Sequence, residues 1–202
     1  MKEKILAEAE RLFWKYGVRT ITMDDIARRL AISKKTIYQH FVDKEDIVHQ
    51  VVEWHIAHER SEYCRLSEQG LNPIEEMVLA SDMMRQHADE VNPSLFIDVQ
   101  RYFPKAWEAF LRHKEEYIIK DTIINLQKGV EQGLYRADID VETMARLRVE
   151  LIQIGFDERI WPHQKDAYVI QDQLLHNFIR GILSEKGLGV YNELKVKQVS
   201  TT

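Results

Sequence analysis

The sequence predicts an all-α protein, and three observations carry that prediction. Apolar residues recur at three- and four-residue spacing along nearly the whole chain. Only 8 Gly and 4 Pro occur among 202 residues, too few for an all-β chain built on tight turns. No alternation long enough for a convincing strand is found, except in the tail after Gly187, whose pattern is ambiguous.

The elements follow in order. The first helix runs from about Lys2 to Tyr16, with Ile5, Leu6, Ala9, Leu12 and Phe13 on one stripe and Gly17 as its stop. Thr22 reads as an N-cap with Asp25 three residues on, a capping box with Asp in place of Glu, and it opens a two-turn helix from Met23 to Leu30. Ser33 caps a third helix from Lys34 to about Phe41, and Asp43 caps a long fourth from Lys44 to about Gln69, ended by Gly70. Asn72-Pro73 starts a fifth helix, Ile74 to about Glu90, and Asn92-Pro93 repeats the signal for a short sixth to about Phe103. Pro104 starts a long helix to about Gln132. After a loop from Gly133 to Asp140 come two more, Val141 to about Trp161 and Asp166 to about Lys186, parted at Pro162. That makes about nine helices.

Composition narrows the class. The chain is 45% hydrophobic and 30% charged, which suits a packed fold and not a disordered one. No stretch approaches the length of an apolar membrane span, and the N-terminus MKEKILAEAERLF lacks the apolar core of a signal peptide. A cytoplasmic protein without a membrane partner is expected. Cys64 is the single cysteine, so no intrachain disulfide can form. Net charge is −5 overall, yet residues 1–50 carry +2 and the remainder −7. From Ile26 to Phe41 the chain holds Arg28, Arg29, Lys34 and Lys35 and no acid, so a polyanion could be received at that one face.

Two helices of two turns joined by Ala31-Ile32-Ser33 are too short to stand alone. Ile26, Leu30, Ile32, Ile37 and Phe41 fit the buried side of a helix-turn-helix, and the other side displays Lys34, Lys35, Thr36, Gln39 and His40. Lysines read guanine acceptors, Gln pairs with adenine, and a Thr methyl meets a thymine methyl. The same spacing also fits two solvated helices with no nucleic-acid role. The segment TMDDIARRLAISKKTIYQHFVDKEDIV, residues 22–48, resembles the DNA-binding region of the tetracycline-repressor (TetR) family, through Thr22, Ile26-Ala27, Ser33-Lys34, Tyr38-Gln39-His40-Phe41 and Lys44-Glu45. Chain length, helix count and the segment GLYRADID (133–140) agree with it. The resemblance implies phosphate contacts at Thr22, Tyr38, His40 and Lys44, and base contacts at the exposed positions of the third helix. Position 31 departs from the pattern: the family usually has Gly there, and this chain has Ala31.

No nucleophile elbow, phosphate loop, dinucleotide fingerprint or H-E-x-x-H is present, so neither catalysis, nor a cofactor, nor a metal is expected. His55, His58 and Glu62 share a helix face, and solvation is the ordinary role of such residues. The middle of the chain is rich in Met and aromatics, which serve equally as ordinary core or as an adaptable cavity. The resemblance implies a ligand-binding domain there, and the candidate lining is Met84, His87, Phe96, Gln100, Phe103, Trp107 and Tyr117. A neutral or cationic, largely apolar small molecule is expected. The last two helices are apolar on more than one side, so one stripe needs a cover beyond the chain's own core. A homodimer through Leu151, Ile154, Leu175, Phe178, Ile179, Ile182 and Leu183 would supply it.

The expectation is therefore all-α: an N-terminal three-helix helix-turn-helix DNA-binding domain, residues 1–46, plus a larger helical ligand-binding and dimerisation domain, residues 47–202. The function expected is a ligand-responsive repressor on a near-palindromic double-stranded DNA operator. The alternative is a small-molecule-binding or catalytic helical domain with a vestigial helix-turn-helix.

Overall fold

The computed structural model describes residues 1–202 apart from 86–91, 93, 158, 162–165 and 200–202, and apart from the side chains of 85 and 197–199. Among the described residues the chain is helical, with eleven α-helices. These are α1 (Lys2–Tyr16), α2 (Met23–Arg29), α3 (Lys34–Tyr38), α4 (Lys44–Ser67), α5 (Pro73–Arg85), α6 (Leu95–Tyr102), α7 (Pro104–His113), α8 (Ile119–Glu131), α9 (Val141–Gly155), α10 (Ala167–Ile182) and α11 (Glu185–Val199). No described helix is long and apolar enough to cross a membrane.

The N-terminal punctuation acts as its chemistry requires. Gly17 takes φ 82 and closes α1 with its N–H on the Phe13 carbonyl. At α2 the Thr22 side chain accepts from the Asp25 N–H while the Asp25 carboxylate accepts from the Thr22 N–H. Ser33 caps α3 through the Thr36 N–H at 3.1 Å, and Asp43 caps α4 through the Asp46 N–H at 2.8 Å. Asn72 Oδ1 accepts from the N–H groups of Ile74 and Glu75 ahead of α5.

The chain forms two compact units. The first holds residues 1–61 and 89–114. Its core joins Ile5, Ala9, Phe13, Ile26, Ile37, Phe41 and Ile47 to Leu95 and Val99 of α6, Ala106 of α7 and Phe103 between them. Leu30 and Ile32 pack against it, half-buried. Each fully buried Ile contributes roughly 1.5–3 kcal/mol, which is what keeps α2 and α3 folded at lengths that cannot stand alone.

The second unit holds residues 62–88 and 115–202. Its core gathers Ile74, Leu126, Ala145, Leu175 and Ile179, all fully buried. A polar network runs through it. Tyr63 donates to Glu76 Oε1 at 3.1 Å, Asn125 donates to Glu76 Oε2 at 3.1 Å, and the Tyr135 hydroxyl lies 3.0 Å from the Pro73 carbonyl. Burial, with the Glu76 carboxylate beside them, pushes both tyrosine hydroxyls up, which keeps their protons in place for donation.

Several boundaries differ from the sequence reading. The third helix ends at Tyr38, with Gln39 as C-cap, so Gln39 and His40 lie beyond it. The helix expected from Pro104 to Gln132 is broken into α7 and α8 by a π-helical turn, Lys114–Ile118. The helix α9 stops at Gly155 instead of Trp161; the Trp161 indole N–H donates to the Ile154 carbonyl at 2.8 Å and occupies an orphan acceptor of the last turn. The helix α10 stops at Ile182, because Leu183 turns extended and bridges to Tyr135. The ambiguous tail is the helix α11, opened by Ser184, whose Oγ accepts from the Gly187 N–H at 3.0 Å. A Cβ on Gly187 would lie 1.9 Å from the Leu134 carbonyl oxygen, so α11 can dock only with glycine there.

Of the residues expected at a dimer contact, Leu175, Phe178, Ile179, Ile182 and Leu183 are buried in the chain's own second core. Leu151 and Ile154 stay half-buried, and on α9 they align with the exposed Leu147. On α10 the exposed apolar side chains are Tyr168 and Val169.

Candidate nucleic-acid interface

The turn between α2 and α3 sets the geometry. Ala31 adopts φ 54, a left-handed conformation that favours glycine, and the Ile32 N–H reaches back to the Ala27 carbonyl at 3.0 Å. With Ile37 fully buried, α3 presents Lys34, Lys35, Tyr38 and the following Gln39 to solvent, whereas Thr36 and His40 are half-buried. The Thr36 hydroxyl sits 2.8 Å from that of Ser33. The His40 ring lies edge-on to Phe41 at 6.4 Å.

Thr22 is exposed, and its hydroxyl donates to Asp25 Oδ2 at 2.6 Å. That hydrogen bond, and then the one from the Thr22 N–H, hold the Asp25 carboxyl below the usual range. Lys34 donates to Asp24 Oδ2 at 3.0 Å, and that carboxylate raises the lysine. Both partners are about half exposed. Lys35 has no such neighbour among the described ion pairs. Arg28 pairs with Asp25 at 3.5 Å, and Arg29 lies 3.7 Å from Glu8 of α1.

Lys44 is half-buried at the start of α4. Its ammonium donates to the Arg19 carbonyl at 3.0 Å and lies 6.0 Å from the centre of the Phe103 ring. Burial, and then the nearby Arg19, push it down, against the opposing pull of Asp25 and Asp98. Neither the Asp24–Lys34 pair nor the Lys44 bond could be read from spacing, because the partners stand 10 and 25 residues apart and meet only through the folded turns.

The expected ligand lining is distributed over both units. Phe96, Gln100, Phe103 and Trp107 belong to the first unit; Met84 and Tyr117 belong to the second; His87 lies outside the described residues. Phe103 is buried in the core that carries the helix-turn-helix, and Gln100 is exposed. Phe110, outside the expected set, meets Phe96 edge-on at 5.9 Å and stacks on Trp107 at 5.1 Å. On α4, His55 bonds Glu10 at 2.8 Å and His58 bonds the Trp54 carbonyl at 2.8 Å, while Glu62 is exposed.

Comparison with known proteins agrees with this geometry. The family model "Bacterial regulatory proteins, tetR family" matches residues 5–51. YvaF of Bacillus subtilis, named an uncharacterized HTH-type transcriptional regulator, is 33% identical over 132 residues, 62% of this chain and 66% of that protein, so the chain spans just under two thirds of it. ArpR of Pseudomonas putida, named a probable HTH-type transcriptional regulator, is 32% identical over 162 residues, 71% of this chain and 72% of that protein. Among solved structures, a transcriptional regulator from Saccharomonospora viridis in complex with choline shares the fold, with a TM-score of 0.75 and 20% identity over 91% of this chain and 98% of that one.

Proposed function

Because the chain belongs to the TetR family of helix-turn-helix transcriptional regulators, we propose that it is a repressor released from its operator by a small molecule. In this reading residues 1–46 bind DNA and residues 47–202 bind the ligand and dimerise. Lys34, Lys35, Thr36 and Gln39 face base edges, and Thr22, Tyr38, His40 and Lys44 face phosphates. The carrying observation is the capped, cored pair α2–α3 with Lys35, Tyr38 and Gln39 exposed on one side. A vestigial helix-turn-helix has no need to keep Lys34 and Lys35 exposed at the start of α3.

The stacked pair Trp107–Phe110 supports a largely apolar ligand, neutral or cationic, since an aromatic face accepts both. The choline held by the Saccharomonospora viridis regulator is of that class. The half-buried and exposed stripe Leu147, Leu151 and Ile154 supports a two-fold contact through α9, which would make the operator near-palindromic.

The test is selection from a randomised duplex pool, followed by titration of Lys34→Ala and Lys35→Ala on the selected site. The selected site should show half-sites about one helical turn apart or a multiple of it. A lysine that reads a base should cost about 1–3 kcal/mol when removed, mainly on the selected sequence. A parent protein that retains no duplex at about 0.15 M salt, where specific complexes persist, would overturn the reading.

A further inference from the structure

The helix α6 reaches the DNA-binding head at a place the interface above leaves unused. Arg19 stands three residues before Thr22, in the loop between α1 and α2, and Lys44 holds its carbonyl. It therefore lies among the residues that face the DNA backbone. Its guanidinium turns instead to α6, with Nη1 3.9 Å from Asp98 Oδ1 and the group 4.5 Å from the centre of the Tyr102 ring. Asp98 is fixed for this: its side chain is largely covered, and Oδ2 accepts from the Ser94 hydroxyl at 3.1 Å. Arg19 remains 58% exposed at the side chain. The loop itself is tied to the same segment, since the Asn92 N–H donates to the Trp14 carbonyl and Asn92 faces Gly17.

We propose that Arg19 is a further DNA-backbone contact and that Asp98 and Tyr102 hold it in competition with phosphate. At 3.9 Å and with Arg19 mostly exposed the pair is weak, and phosphate offers a guanidinium a bidentate acceptor, so the exchange is open to DNA. Each displacement of α6 that loosens Asp98 then frees one cation per chain for the backbone, and each that tightens it withdraws one. The inference rests on the DNA-binding reading and adds the means by which α6 adjusts its strength.

The test uses the full chain, a short duplex of mixed sequence and a salt series. Asp98→Asn should bind the duplex tighter than the parent and steepen the plot of log K against log salt by up to about 0.9 per chain, the value of one whole phosphate contact. Tyr102→Leu, at an exposed position, should act in the same direction and serves if Asp98→Asn folds poorly. Adding Arg19→Gln to either variant should remove the gain, bringing affinity and slope down to the parent values or below them. A gain that survives Arg19→Gln would assign the effect to the lost acid alone and overturn the proposal, as would unchanged slopes in both variants. A parent that binds no duplex at low salt would fail the DNA reading itself, and the two failures are thereby distinct.

Discussion

Ala31 carries a cost that glycine would remove. A Cβ at φ 54 crowds the following carbonyl, which for an L-residue amounts to about 1 kcal/mol after allowing for the looser unfolded chain that glycine brings. Ala31→Gly should therefore raise stability by about that amount, visible as a higher urea midpoint at unchanged slope; a lower midpoint would show the turn to be unstrained. Asp25 is a second residue with a readable effect. Its carboxylate accepts from the Thr22 hydroxyl and N–H, so the folded state favours the charged form and lowers its pKa from the ordinary 3.8. The contribution is thus present above that value and is lost as pH falls through the lowered one. Asp25→Asn should flatten this acid limb of stability against pH, and a limb identical to the parent's would show that other carboxylates carry it. The departure at position 31 was legible as one substituted letter, whereas its φ needed coordinates.

At the scale of elements, the N-terminal helices were legible because their stop and start residues act locally: Gly17, Thr22, Ser33 and Asp43 each sit within four residues of the group they satisfy. The ends of the C-terminal helices and the helical tail were not, because they are set largely by distant partners. Leu183 leaves the helix to meet Tyr135, and the start of α11 depends on Ser184 and on the space Gly187 leaves for the Leu134 carbonyl. Apolar periodicity showed that α9 and α10 are apolar on more than one side, yet not which side the chain itself would cover. That distinction alters the experiment on assembly. Ile179 is fully buried, so Ile179→Glu places a charge in a dry core and should unfold the protein without reporting on a partner. Leu147 is 43% exposed, so Leu147→Glu should keep the fold. If α9 forms the two-fold contact, sedimentation should show a folded dimer for the parent and a folded monomer for Leu147→Glu. A parent that sediments as a monomer at micromolar concentration would remove the contact from consideration.

For the whole molecule, regulation reduces to a difference in affinity between two forms. A ligand that binds the operator-competent and operator-free forms equally moves nothing, however tight its binding. The charge distribution bears on which ligands can act: the chain beyond residue 50 is net −7, which disfavours polyanions over most of that surface, while Trp107 and Phe110 offer a stacked aromatic pair. The chain also passes continuously from one compact unit to the other through α4, whose residues 44–61 lie in the first unit and 62–67 in the second. The element that begins at Lys44, among the residues proposed to face DNA, thus ends in the other unit. A thermal-shift screen of neutral apolar compounds and quaternary ammonium compounds should yield ligands that raise the melting temperature. Those that act as inducers should weaken operator binding by a factor of about 5–150, the usual range of allosteric coupling. Reciprocity supplies the control: saturating operator DNA must weaken each inducer's own binding by the same factor. Stabilising compounds that leave operator affinity unchanged in every case would show that the protein binds small molecules without being regulated by them, and its DNA binding would then have to be switched by other means.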